Sequence, residues 1–206
     1  MMNILTSKVS QSVLEHQMKN IWRLASHFSN KYYTPYTYPN RLCLSGTPLN
    51  EALVSLHQIL PKFQKENKLQ KVQCIVLTDG EENASRGDYS GEPGRIKLAE
   101  KIKLQQEVYN WIFYFLGTNI DAIKVGKSYG IDQRTCINYN NSQNGCTNVM
   151  RSASHALNRV RFAPSLATPG MNRNEMLNTA GFTQLERTIS TQANVVNVPS
   201  NSFEDI

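Results

Sequence analysis

Residues 71–83 read KVQCIVLTDGEEN, a nearly continuous apolar run (Cys74-Ile75-Val76-Leu77) that breaks off in Thr78, Asp79, Gly80, Glu81 and Glu82. A run this short and this uniformly apolar predicts a strand covered on both faces within a parallel sheet. Its acidic end is then the carboxyl edge of that sheet, where open α/β sheets bind their ligands.

The flanking sequence repeats the pattern. Downstream, YNWIFYFLG (109–117) is a second buried run and RTCINY (134–139) a third, shorter strand. Helical periods separate them, over about 95–107 and 119–129, and a closing helix over 146–160 carries Val149, Ala153, Ala156 and Val160 on one face. Upstream, Thr47-Pro48 predicts the start of a helix, with Thr47 as N-cap, Pro48 in the first turn, and Asn50 and Glu51 beside them. Its apolar face is Leu49, Leu53, Leu56, Leu60 and Phe63. This alternation predicts an α/β fold with a Rossmann-like, doubly wound, mostly parallel sheet.

Residues 11–28 predict an amphipathic helix with Leu14, Met18, Ile21, Ala25 and Phe28 on one side. NKYYTPYTYPNR (30–41), with its prolines and tyrosines, predicts an extended connection, and LCLSG a short strand or strand end. The expected domain spans 1–162. From 163 to 206 the chain is rich in Asn, Ser and Thr and predicts a non-globular tail, with little periodicity beyond a turn of helix near 174–189.

Composition narrows the function. Of 206 residues, 40% are hydrophobic and 9% aromatic, enough for a core. The net charge of +6 is scattered over helix-like stretches with no basic block, so no nucleic-acid partner is expected. No apolar stretch is long enough to span a membrane, and the start lacks a signal peptide's apolar centre. Cys43, Cys74, Cys136 and Cys146 form no C-x-x-C pair, and the first three sit in apolar or strand-like runs. They predict a reduced, cytoplasmic protein. His16, His27, His57 and His155 fall on predicted helices without ligand spacing, and Trp22 and Trp111 are expected in the core. Gly126-Lys127-Ser128 is not a phosphate loop, because Asp121 stands where the motif needs glycine. No nucleophile–base pair accompanies Glu81 and Glu82, so the chain is not expected to be an enzyme.

Two stretches carry what chemistry remains: SGTPLNEAL (45–53) and VLTDGEEN (76–83). A threonine hydroxyl and an aspartate converging on one sheet edge supply oxygen ligands of the kind Mg²⁺ takes. Equally, Thr47 could simply cap a helix and Asp79 end a strand. With FYFLGTNIDAIKVGKSYGI (113–131), these stretches resemble the von Willebrand factor A (vWA) domain of bacterial and phage type, including phage proteins similar to the cobaltochelatase subunit CobT. The resemblance covers about 42–162. It implies a protein–protein interaction module whose metal-ion-dependent adhesion site takes an acidic side chain of the partner. Thr47 and Asp79 match two of that site's elements, and Glu81 and Glu82 join them as partner-binding residues.

The family's D-x-S-x-S loop is missing. The nearest string is Lys8-Val9-Ser10-Gln11-Ser12, which leaves Ser10 and Ser12 as weaker ligands and puts lysine where the aspartate belongs. The Lys8 ammonium could there pair with Asp79 in place of a cation. The amino-terminal strands are therefore lost, supplied by another chain, or reduced. The resemblance thus implies a degenerate site, with Mg²⁺ held weakly or not at all by the isolated chain. Two further readings stand beside the interaction module: a virion component packed statically against neighbouring subunits, which would place a viral chain in the virion or the host cytoplasm, and a chelatase- or ATPase-associated subunit.

Overall fold

Strands β1 (Gln73–Thr78), β2 (Ile112–Gly117) and β3 (Cys136–Asn138) form one parallel sheet in the order β1-β2-β3. The register sets Gln73 opposite Ile112 and Thr78 opposite Gly117, with Phe115 opposite Cys136. The structure, a computed structural model, describes residues 5–29, 46–163 and 172–192. The chain divides into two units, Met1–Ser45 and Gly46–Ile206.

In the amino-terminal unit, α1 (Gln11–Ser29) follows the expected period, yet none of its described side chains is buried. Met18 is 58% exposed and Trp22, expected in a core, is 74% exposed. The expected connection over 30–41, the LCLSG strand and Cys43 lie outside the described residues.

In the second unit the strands alternate with helices α2 (Leu49–Glu66), α3 (Gly91–Tyr109), α4 (Ala122–Ser128) and α5 (Gln143–Phe162). Helices α2, α3 and α4 cover one sheet face, burying Leu49, Leu53, Leu98, Ile102 and Ala122 with Val76, Phe113, Phe115 and Cys136. Phe63, expected on the buried face of α2, is 42% exposed near that helix's end. Gly126 lets α4 lie flat on the sheet, since a Cβ there would come 2.5 Å from the Cys136 sulfur and 3.2 Å from the Phe115 Cβ. The glycine of the Gly126-Lys127-Ser128 triplet therefore has a packing role.

The opposite face is covered by α5 with α6 (Arg173–Ala180). Val149, Ala153, Ala156, Val160, Met176 and Ala180 pack there on Ile112, Tyr114, Leu116 and Ile137. That core includes no residue of β1. The expectation of strands buried on both faces therefore holds for β2, whose residues are all buried, and fails for β1. As the outermost of three strands, β1 leaves Ile75 40% and Leu77 49% exposed. The physical reason is width: the second helical layer centres on β2 and β3.

The carboxyl-terminal stretch also departs from expectation. Residues 172–192 form α6 and α7 (Gln184–Thr191), each begun by a capping box, Asn172 with Glu175 and Thr183 with Glu186. Met176, Leu177, Ala180 and Phe182 are buried, and Phe182 meets Tyr114 edge-on at 5.8 Å. Arginines supply the attachment that apolar content does not. Arg159 holds both carboxylate oxygens of Glu186, at 2.7 and 3.0 Å, and donates to the Thr179 and Gly181 carbonyls. Arg187 donates to the Cys136 and Arg134 carbonyls, and Arg134 reaches Asn178. The expected tail is thus a helical pair docked on α5 and β3, and 193–206 lie outside the described residues.

Candidate functional site at the carboxyl edge of the sheet

Three loops meet where the strands end. The first, residues 46–50, enters α2. The Thr47 N–H donates to the Asn83 side-chain oxygen at 2.6 Å, and the Asn83 N–H returns to the Thr47 carbonyl at 3.2 Å. The Thr47 hydroxyl lies 3.3 Å from where a Cβ on Gly80 would be, so the glycine after Asp79 gives that hydroxyl room. The expected N-cap role of Thr47 is not met. Pro48 occupies the cap position, and no side chain of its own turn caps α2.

That duty falls to Glu82, from the second loop. Its carboxylate accepts four hydrogen bonds, two per oxygen: Asn50 N–H at 2.6 Å and Ser85 hydroxyl at 2.7 Å, then Ala84 N–H at 2.9 Å and Ser85 N–H at 2.7 Å. A carboxylate at a helix N-terminus is favoured by the helix dipole and fills the first turn's free donors. Asn50 completes the frame. It is fully buried, its amide donates to the Tyr89 and Gly91 carbonyls, and its oxygen accepts from the Tyr129 hydroxyl at 2.7 Å. The third loop follows β2, where Asp121 caps α4 through the Lys124 N–H and Asn138 accepts from the Ala122 N–H.

Burial alone would raise the Glu82 carboxyl, but its hydrogen bonds from Asn50, Ser85 and Ala84 outweigh this and hold it below its ordinary value. A depressed carboxyl gives stability that is present above its unfolded value and lost as pH falls through its folded one. We therefore expect Glu82→Gln to cost more stability near pH 7 than in acid below the folded-state value of the native carboxyl, where that group is protonated too. Urea midpoints of both proteins at the two pH values measure this; an equal loss at both would contradict it.

Of the residues singled out by sequence, Asp79 and Glu81 are exposed at the end of β1. The Asp79 carboxylate makes no hydrogen bond or salt bridge among the described residues. Its charge reaches Tyr139, whose phenol is held above its ordinary value by burial first and then by Cys146 and Asp79. Glu82, expected to face a partner, is turned inward with all its bonds made within the chain. Ser10 and Ser12 stand at the start of α1 in the amino-terminal unit, their hydroxyls 3.2 Å apart. Asn50 was not singled out for this role, because its bonds span 39 to 79 residues and leave no periodic signal.

The chemistry of this edge is that of oxygen ligands. Thr47 and Asp79 suit a hard cation by type but bring one carboxylate between them, where Mg²⁺ usually takes one or two with waters and further groups. Among the described residues no group of three or more His, Cys, Asp or Glu side chains is placed to hold a metal ion. Burial pushes the Cys74 thiol up to about 11 and the Cys136 thiol up to about 12, so both stay protonated near neutrality. Beside Glu81 and Glu82 lies a hollow of about 470 Å³ with mixed charge on its walls, from Glu92, Arg95, Asp121 and Lys124. Comparison with family models, curated proteins and solved structures returns no match. Among the described residues, no helix is long and apolar enough to cross a membrane.

Proposed function

We propose that this chain is a protein–protein interaction module of vWA type, with a degenerate metal-ion-dependent adhesion site and no catalytic activity of its own. One observation carries the reading. The loop bearing Thr47 and the loop bearing Asp79 and Gly80 are hydrogen-bonded to each other at the carboxyl edge of a parallel sheet, with Asp79 left exposed. Glu82 and Asn50 brace that edge from beneath, so its geometry does not depend on a bound ion. A partner's acidic side chain would complete the coordination of a cation shared by Thr47 and Asp79.

With so few ligands, Mg²⁺ alone should bind no tighter than roughly 1 mM, about −4 kcal/mol. Asp79→Ala should then change thermal stability equally with and without Mg²⁺, because no bound ion is lost with the carboxylate. Calorimetric titration of the full chain tests this. Micromolar Mg²⁺ or Mn²⁺ binding that vanishes in Asp79→Ala would mean a complete site rather than a degenerate one.

A further inference from the structure

The side of β1 that α5 leaves bare belongs to a strand whose outer edge is also unpaired among the described residues. The Val72 and Thr78 carbonyls accept from Ile112 and Thr118 on the β2 side, at 3.1 and 3.2 Å. Even-numbered residues of β1 therefore address β2, and the backbone groups of Gln73, Ile75 and Leu77 point away from it. Among the described residues the sheet ends there. The same odd-numbered positions carry the exposed Ile75 and Leu77 side chains. An edge with free backbone groups and apolar side chains is a template for pairing with another strand.

Charge along this edge selects the occupant. Its beginning is basic: the exposed Lys68 and Arg161 line a hollow there with Gln73 and Leu157, while the Lys71 ammonium is held by the Val160 and Ala163 carbonyls. Its end is acidic, with Asp79 and Glu81 exposed. Such an edge repels a parallel copy of itself and attracts an antiparallel one, because each basic end then meets an acidic end.

We propose that β1 pairs antiparallel with β1 of a second copy of this chain about a two-fold axis, joining the two sheets into one. Residues opposite each other in an antiparallel pair point to the same face. The pairing sets Ile75 of each copy against Leu77 of the other, and Gln73 against Asp79. The interface is isologous, so it closes at the dimer and does not propagate. It goes beyond the adhesion-site reading and does not need a metal.

Sedimentation equilibrium of the full chain tests it, at about 100 μM, above the micromolar end of the range for interfaces of ordinary size. The expected mass is twice the chain's 23.3 kDa. Leu77→Lys should raise the dissociation constant at least tenfold while leaving the far-ultraviolet circular dichroism and the melting temperature of the monomer nearly unchanged, since the side chain is half exposed. Ile75→Lys serves the same purpose should Leu77→Lys fail to fold. Amide exchange at Gln73, Ile75 and Leu77 should slow as chain concentration rises. A monomer at this concentration, or a dimer indifferent to both lysines, would overturn the proposal. So would edge amides protected equally at every concentration, which would show the edge covered from within the same chain.

Discussion

Asn50→Ala should destabilise the chain by about 3 kcal/mol, from three lost side-chain hydrogen bonds at roughly 1 kcal/mol each and the buried groups left unpaired. The residue ties together the first turn of α2, the loop ahead of α3, and Tyr129 at the end of α4. Tyr129 is 1% exposed, so its hydroxyl has no water to replace the lost acceptor. Two comparisons separate this from loss of bulk. Tyr129→Phe alone removes one bond and should cost less. The double substitution should cost less than the two single costs added, since both break the same bond. Urea unfolding of the four proteins supplies the cycle, and strict additivity would contradict a direct Asn50–Tyr129 link.

Arg159→Ala should have a comparable effect at the other end of the fold, also of about 3 kcal/mol. Removing one member of a buried ion pair costs about 3–5 kcal/mol, and the lower end applies because the Arg159 side chain is about one third exposed. What it leaves behind is worse than what it removes. Glu186 is 10% exposed at its side chain and would keep only the Thr183 N–H as a partner. The Thr179 and Gly181 carbonyls lose their donor as well. Without that clamp the buried Met176, Leu177, Ala180 and Phe182 and the Arg187 bonds must hold α6 and α7 alone, so chymotrypsin should cut at Leu177 and Phe182 faster than in the unsubstituted chain under native conditions. Arg159→Lys should not rescue, since an ammonium cannot hold both carboxylate oxygens and two carbonyls in one plane. A loss of less than about 0.5 kcal/mol, within the range of ordinary surface substitutions, with α6 and α7 still protected, would show the clamp to be idle.

These two residues mark where the sequence stops being readable. The apolar run of β2 announces a strand covered on both faces, and Ile112 to Leu116 are covered on both faces. The run of β1 carries the same signature, but apolarity does not count neighbouring strands, and Ile75 and Leu77 emerge half bare at an edge. The meeting of the loops around 47 and 79 follows from strand–helix alternation, which brings both to the same sheet edge. How that edge is braced does not. Glu82 caps α2 through the N–H of Asn50, 32 residues upstream of it, and no local pattern encodes such a bond. In the carboxyl-terminal stretch the capping boxes were there to be read, as Asn172 with Glu175 and Thr183 with Glu186. The low apolar content pointed the other way, because arginines binding backbone carbonyls leave no trace in hydropathy.

As proposed, the Thr47–Asp79 edge is a binding surface and not just the end of a strand. Amide NMR of the full chain, titrated with Mg²⁺ in the absence and presence of a short aspartate-containing peptide, tests it residue by residue. Mg²⁺ alone should shift Thr47, Asp79 and Gly80 only weakly, at millimolar concentration. The peptide should bring the same shifts to lower Mg²⁺, because each ligand strengthens the other's binding, and Asp79→Ala should abolish them. Shifts absent from these residues with both ligands present, or unchanged in Asp79→Ala, would contradict it.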